Sequence, residues 1–290
     1  MMHSPNSTHY ANLYFSILIP TWNNLTFLQC CIRSILKNSS LSHQIIVHVN
    51  EGSDGTCEWL DNMQIAYTHS KQNIGICSAM NQIAKLAESD YLVFMNDDMY
   101  ALPGWDVELI RVVQTLPDNA FYLSSTLIEP AHTNNQCVIA PHDFGRNPDE
   151  FQEEKLLKEY ATLPWHDWYG ATWPPSLVHR SMWNLVGGYS EAFSPGLYSD
   201  PDFSMKLWQS GVRVFRGVQS SRVYHFMSKT THRIPMNNGR KQFAQKWKMT
   251  ARYFTHYILK IGQPFNGKPL HGPSRIKAPL WQRLRARWVR

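Results

Sequence analysis

The residues best able to do chemistry stand in three places. Val93-Phe94-Met95-Asn96-Asp97-Asp98-Met99 sets two adjacent carboxylates directly after an apolar run. Holding two such charges together beyond a buried strand is costly unless a cation or a hydrogen-bond network absorbs them. Hard oxygen ligands suit Mg2+ or Mn2+, either of which can bridge a diphosphate; the competing reading is an acidic turn that caps the next helix. Ser199-Asp200-Pro201-Asp202-Phe203 sets two carboxylates two residues apart beside a proline. That spacing serves a helix cap with a first-turn acid, or a general base whose pKa its neighbour tunes. His225 follows the apolar run 212–224, and an imidazole there is either a satisfied structural side chain or a metal ligand.

These groups need a scaffold, and the first half of the chain spells one out. Apolar, β-rich runs at 14–19, 45–49 and 91–95, with a weaker one at 65–68, alternate with helically spaced segments at 25–36, 57–62, 76–87 and 105–116. Such alternation predicts βαβ units in an α/β fold, with a mostly parallel central sheet flanked by helices. Ligands of such sheets bind beyond the carboxyl ends of the strands. The residues there are Pro20-Thr21-Trp22-Asn23, Asn50-Glu51-Gly52-Ser53-Asp54-Gly55 and Asn96-Asp97-Asp98, all polar or turn-forming. In the second half, 129–169 reads as an excursion with a short helix near 150–160, and 212–224 as a further strand. A basic, aromatic helix is expected over 239–260, an extended stretch over 263–279, and a last short helix over 281–290. Neither GxxxxGK[ST] nor GxGxxG nor GxSxG occurs, which disfavours P-loop phosphate handling, the usual dinucleotide fold and an esterase-type nucleophile.

Composition narrows the class further. With 43% hydrophobic and 17% charged residues in 290, the chain is no disordered polymer. Its formal charge of +6 hides a division: 222–290 holds 16 Lys or Arg and no Asp or Glu, leaving 12 basic against 22 acidic residues in 1–221. A basic end on an acidic body suggests phosphate, an anionic membrane or nucleic acid as partner. No run approaches the ~18–20 apolar residues of a membrane span, and residues 1–10 lack the layout of a secretory signal. Five cysteines without a CxxC pair fit a reducing cytosol.

Singly these signals are weak, but their order is specific. Ile19-Pro20-Thr21-Trp22-Asn23, Val49-Asn50-Glu51-Gly52-Ser53-Asp54-Gly55-Thr56, Asn73-Ile74-Gly75 with Ala79 and Asn81, and Phe94-Met95-Asn96-Asp97-Asp98 follow one another. Pro103-Gly104-Trp105, Gly170-Ala171, Gly187-Gly188-Tyr189 with Glu191 and Phe193, Asp200-Pro201-Asp202-Phe203, Gly211 and His225 continue the series. The series resembles the family 2 glycosyltransferases, enzymes with the A-type, nucleotide-sugar-binding fold. The resemblance implies a catalytic domain over 1–225, with a nucleotide-sugar half to about 128 and an acceptor half over 129–225, then a basic helical extension over 226–290. It implies a metal-dependent, inverting transfer of sugar from a nucleotide donor, uridine diphosphate by family weight, to a glycan or lipid-linked acceptor of the cell envelope. Asp98 is the implied ligand of Mn2+ or Mg2+, with His225 as a second, and Asp200 the implied general base. Pro20, Thr21, Asn23, Glu51, Asn73, Gly75, Asn81, Asn96 and Asp97 are the implied nucleotide and sugar contacts. Trp168, Gly170 and Asp202 belong to the expected acceptor or sugar pocket. The family usually has Asp where Asn50-Glu51 stands, and Glu where Ser199 stands. Lys229 and Arg233, with His232, form either a basic loop that meets the diphosphate or a solvated surface.

Two other functions compete. A sugar-phosphate nucleotidyltransferase shares such a sheet, but its Gly-rich, basic signature is replaced by Thr21-Trp22-Asn23-Asn24. A binding protein acting through the basic segment leaves the ordered motifs unexplained, and nucleic acid is the least favoured partner. The basic segment retains an accessory role: Trp281, Leu284 and Trp288 fall on one helical face, fitting either a peripheral anchor on an anionic, cytoplasmic membrane face or a helix packed on its own protein.

Overall fold

The computed structural model describes residues 2–3, 14–228 and 235–289. Its strands are β1 (Met2–His3), β2 (Phe15–Trp22), β3 (His43–Asn50), β4 (Ala66–Ser70), β5 (Tyr91–Phe94), β6 (Met99–Ala101), β7 (Phe121–Ile128), β8 (Val138–Ile139), β9 (Trp168–Tyr169), β10 (Ser176–His179) and β11 (Val214–His225). Its helices are α1 (Leu25–Asn38), α2 (Thr56–Asn62), α3 (Gly75–Ile83), α4 (Trp105–Val113), α5 (Glu153–Glu159), α6 (Arg180–Val186), α7 (Ser199–Gln209), α8 (Gly239–Trp247), α9 (Ala251–Tyr253) and α10 (Leu280–Arg287).

One sheet joins them, in the order β1-β4-β3-β2-β5-β10-β7-β11-β6, with β8 beside β7 and β9 beside β11. The stretch β4-β3-β2-β5 is parallel, as the βαβ pattern predicts. Beyond it the sheet is mixed: β10 runs antiparallel to both neighbours, β5 and β7, while β7 and β11 are parallel. Strand alternation divides the core. Phe15, Ile17 and Ile19 of β2 pack on one face with Leu28 and Ile32 of α1 and Leu109 of α4. Leu18 faces the other side with Met80 of α3, Met182 of α6 and Phe203 of α7. A third cluster pins the 144–165 excursion, through Phe144 and Leu156, onto Tyr100, Tyr224 and Phe226.

The basic segment completes this core. Phe243, Met249, Phe254, Leu259 and Leu270 join Phe203, Trp208 and Phe215 in one buried cluster. The single helix expected over 239–260 is broken, because Lys248 adopts a left-handed φ of 56° that ends α8. Thr250 then caps α9 by accepting from the Tyr253 N–H, and a π turn, Phe254–Ile258, follows. The break lets Phe243 and Phe254 both reach the core, where each is fully buried. The stretch 263–279 is extended and holds Trp208, whose indole N–H donates to Pro273 O at 3.0 Å. No described helix is long and apolar enough to cross a membrane.

Trp168 lies flat over β11. A Cβ at Gly217 would stand 1.8 Å from its Cε2 atom, so the glycine is required by contact and not by backbone strain. Gly217→Ala should cost about 1–3 kcal/mol by overpacking, read as a lowered midpoint in thermal melts; an unchanged midpoint would mean that the indole is free to move aside.

Candidate active site

The register of three strands gathers the first group of charges. Met99 of β6 pairs with His225 of β11, and Ile128 of β7 pairs with Tyr224. Asp98 and Glu129, each one residue outside these pairs, therefore converge on His225. His225 Nε2 lies 3.4 Å from Asp98 Oδ2, and His225 Nδ1 lies 2.9 Å from Glu129 Oε1. Asp98 Oδ2 also accepts the Ser228 N–H at 2.8 Å, and Asp98 O accepts the Phe226 N–H at 3.0 Å. Asp98 and Glu129 are each about 5% exposed. Burial works against the Asp98 charge, but the positive imidazole and the hydrogen bonds from His225 and Ser228 outweigh it and hold the carboxyl below its usual pKa. Burial would likewise depress His225, yet Asp98 and Glu129 raise it to about 10.

This group meets the demands of a divalent cation in its donor set and spacing. Two neighbouring ligands at ~2.1 Å on an octahedral ion lie about 3 Å apart, close to the Asp98–His225 separation. Glu129 occupies one ring nitrogen and turns the other toward Asp98; a cation at that nitrogen would displace the proton that the two carboxylates otherwise hold there. Among the described residues no set of three His, Cys, Asp or Glu side chains forms a closed metal cage. Two protein ligands with the remaining positions left to substrate and water is the usual arrangement for Mg2+ and allied ions.

A second group lines the carboxyl ends of β2 and β3. Thr21 Oγ1 donates to Asp97 Oδ2 at 2.6 Å, tying β2 to the acidic pair. Asn23 Nδ2 donates to Glu51 Oε2 at 3.1 Å, and the Ser53 N–H donates to Asn23 Oδ1 at 2.9 Å. Asn23 and Glu51 take left-handed φ angles of 44° and 62°, so both turns are fixed in form. Pro20 pairs with His48 inside the sheet, just before this rim. Asn50 is structural: its Oδ1 accepts the Ile74 N–H at 2.8 Å, binding the β3 turn to the segment before α3. Asn73 Oδ1 accepts the Gly75 N–H at 2.8 Å. A Cβ at Gly75 would come within 2.7 Å of Pro195 Cα, so the Asn73-Ile74-Gly75 turn is pressed against the loop that leads to Asp200. Asn96 lies beside the acidic pair, its backbone carbonyl 3.5 Å from Cys31 Sγ.

Asp200 opens α7. Its Oδ1 accepts the Tyr189 hydroxyl at 3.1 Å. Tyr189 is fixed from three sides: its ring stacks on Phe203 at 4.8 Å, meets the Phe94 ring edge-on at 6.1 Å, and its backbone is gripped by both ends of the Asn81 amide at 2.9 Å. Asn81, expected among the nucleotide and sugar contacts, thus spends both ends of its amide on the Tyr189 backbone. Asp200 keeps partial contact with water. Burial of its carboxyl nevertheless raises its pKa to about 7, against the lowering effect of the Tyr189 hydrogen bond.

Three residues expected in a sugar or acceptor pocket have other work. Asp202 is fully buried and accepts from Ser190 Oγ at 2.6 Å, Trp247 Nε1 at 2.7 Å and Lys246 Nζ at 2.8 Å, which ties α8 to α7. Trp168 is 2% exposed and donates its indole N–H to Thr126 Oγ1 at 3.1 Å. Gly170 lies under Ile261, which a Cβ there would meet at 2.6 Å. The carboxylate of Asp202 and the indole N–H of Trp168 thus have partners within the protein, and Gly170 is in close contact with Ile261. Lys229, His232 and Arg233 lie outside the described residues. Glu129 and Tyr189, which orient His225 and Asp200, carried no role in the sequence reading. The signal for Glu129 was its place directly after the run Phe121–Ile128.

Residues 16–162 match the family model described as glycosyl transferase family 2. The chain is 23% identical over 225 residues to the O-antigen biosynthesis protein RfbC of Myxococcus xanthus, covering 72% of this chain and 17% of that one. It is 28% identical over 139 residues to the putative colanic acid biosynthesis glycosyl transferase WcaA of Escherichia coli K12, covering 45% of this chain and 48% of that one. It therefore spans less than half the length of either relative. Among solved structures, GalNAc-T7 with UDP, GalNAc and Mn2+ is similar at a TM-score of 0.58 and 15% identity, covering 84% of this chain and 50% of that one. At that identity the likeness is one of fold.

Proposed function

The chain belongs to glycosyl transferase family 2, and from that premise we propose that it moves a sugar from a nucleoside-diphosphate donor to a hydroxyl of a glycan or lipid-linked acceptor, inverting the anomeric carbon. The donor base we assign is uridine and the product a surface polysaccharide or glycolipid, in keeping with the names of its relatives and the UDP of its structural neighbour. One observation carries the reading. Two carboxylates, Asp98 just before β6 and Asp200 in the first turn of α7, are pushed in opposite directions, Asp98 below its usual pKa and Asp200 up to about 7. Groups separated in this way divide the work of binding charge and moving protons.

Asp98 and His225 would hold a divalent cation, with Glu129 keeping Nε2 turned toward it. When bound, that cation supplies positive charge against the departing diphosphate. Thr21, Asn23 and Glu51 form the rim for base and ribose, and Asp97 meets a sugar or ribose hydroxyl. Lys229 and Arg233 carry the right charge to face the diphosphate. Asp200 takes the proton of the acceptor hydroxyl while its oxygen attacks the anomeric carbon and the bond to the diphosphate breaks. Tyr189 holds one carboxylate oxygen and so aims the other. One base without a second nucleophilic carboxylate makes a single displacement, hence inversion.

The test is a screen of UDP-, GDP-, CDP- and dTDP-sugars with and without Mn2+. One donor should be hydrolysed slowly and should stabilise the fold only with the cation, by about 2.7 kcal/mol at a hundred times its dissociation constant. Stabilisation by none of them would refute the reading. With the productive donor and an acceptor, kcat/KM should fall tenfold per pH unit below about 7, where Asp200 gains its proton. A flat profile from acid to neutral pH would remove Asp200 as the base.

A further inference from the structure

Helix α10 has two opposed faces, and one is bare. Gln282, Ala286 and Val289 are buried at 2%, 5% and 8% exposure. Ala286 and Val289 pack on Ala244 of α8, and Gln282 Oε1 accepts the Thr250 hydroxyl at 3.1 Å. On the other side Leu280, Trp281, Leu284 and Trp288 are 67%, 53%, 44% and 82% exposed. At ~100° per residue these four fall within an arc of about 100°. By the same spacing Arg283 and Arg287 border that arc on one side and Arg285 on the other. Tyr257, also exposed, stacks on Tyr253, whose ring meets Trp281 edge-on at 5.8 Å, so the aromatic patch runs beyond the helix.

We propose that this Trp/Leu face, bordered by arginines, docks on an anionic lipid surface. Apolar side chains of this size left exposed by the described residues, with tryptophan and tyrosine among them, suit the boundary between headgroups and acyl chains, and arginines along the edge suit anionic headgroups. Charge also argues against a second copy of the chain as the occupant. Residues 222–290 hold 16 Lys or Arg and no acid, so two such faces would meet with like charges unpaired. The position is apt for a lipid-linked acceptor. Helix α8, which carries α10, also supplies Lys246 and Trp247 to Asp202, two residues beyond Asp200.

The docking does not depend on the enzymatic reading and is tested apart from it. The full chain should sediment with phosphatidylcholine vesicles containing phosphatidylglycerol, bind vesicles of phosphatidylcholine alone at least tenfold less, and lose binding as salt rises. Trp281→Ser with Trp288→Ser should reduce binding to anionic vesicles at least tenfold while lowering the melting midpoint by only a few degrees, since Trp288 is exposed and Trp281 loses one edge-on contact with Tyr253. Arg283→Gln with Arg287→Gln should reduce both binding and its salt dependence. Failure of the unmodified chain to bind anionic vesicles would overturn the proposal, as would undiminished binding by the tryptophan variant. So would a concentration-dependent dimer, or a complex with random-sequence DNA, that the tryptophan variant abolishes.

Discussion

Asp200→Asn should reduce transfer by a factor on the order of 10^3–10^4 above pH 7 and at the same time make the protein harder to melt. The first effect follows from removing the proton acceptor while keeping its shape, since an asparagine oxygen still takes the Tyr189 hydroxyl. The second follows from the raised pKa of about 7. In the folded protein the carboxyl holds its proton more tightly than in the unfolded chain. It favours folding at acid pH, and that contribution is lost as pH rises through about 7, where the buried carboxylate opposes the fold. The full shift is worth at most about 4 kcal/mol, and partial contact with water lowers this to roughly 1–3 kcal/mol. The variant should therefore gain stability over the parent near pH 8 and lose most of that advantage near pH 5. Retained turnover would end the assignment of Asp200 as base. An advantage that did not vary with pH would mean that the carboxyl is not strained by burial.

The second large effect concerns Asp98. Asp98→Asn should weaken Mn2+ binding at least a hundredfold, as the loss of a charged ligand does, and should remove transfer in proportion. The substitution keeps an oxygen facing Ser228 N–H and His225, so the melting midpoint should move by only a few degrees. Bound Mn2+, followed by its electron paramagnetic resonance signal with and without UDP, separates loss of the cation from loss of the fold. Unchanged Mn2+ affinity in a folded variant would place the cation site elsewhere. Under the same reading, chelation of the parent should remove donor-induced stabilisation and added Mn2+ should restore it.

Much of this was legible in the sequence because it is local. The runs at 14–19, 45–49 and 91–95 alternate with helical segments, and each ends in the polar residues that form the rim. Strand β7 was missed for a physical reason. Its centre is Ser124-Ser125-Thr126, and these hydroxyls are buried through bonds to Trp173 O, Ser221 Oγ and Val218 O, partners 49 to 96 residues away. A strand buried on both faces shows no alternation, and polar residues within it read as a loop. Glu129 was missed with it. Asp202 and Trp168 have the chemistry of a site in the sequence, and in the structure Lys246, Trp247 and Thr126 take up their polar atoms. Such partners are set by tertiary packing, which spacing does not encode.

The family match ends at residue 162, yet Phe203, Phe215, Phe243, Phe254 and Leu270 lie in the same cluster as Leu18, Met80 and Phe94. The protein is therefore not modular along its length. A chimaera that kept residues 1–162 and grafted on a relative's back half would need to exchange α7, β11 and residues 239–270 together. The same holds for drift within a lineage: α7 cannot change alone, because each new side chain there must find its fit against the aromatic residues of α8 and the π turn. Natural variation in α7 should then be recorded as correlated change across residues some fifty positions apart.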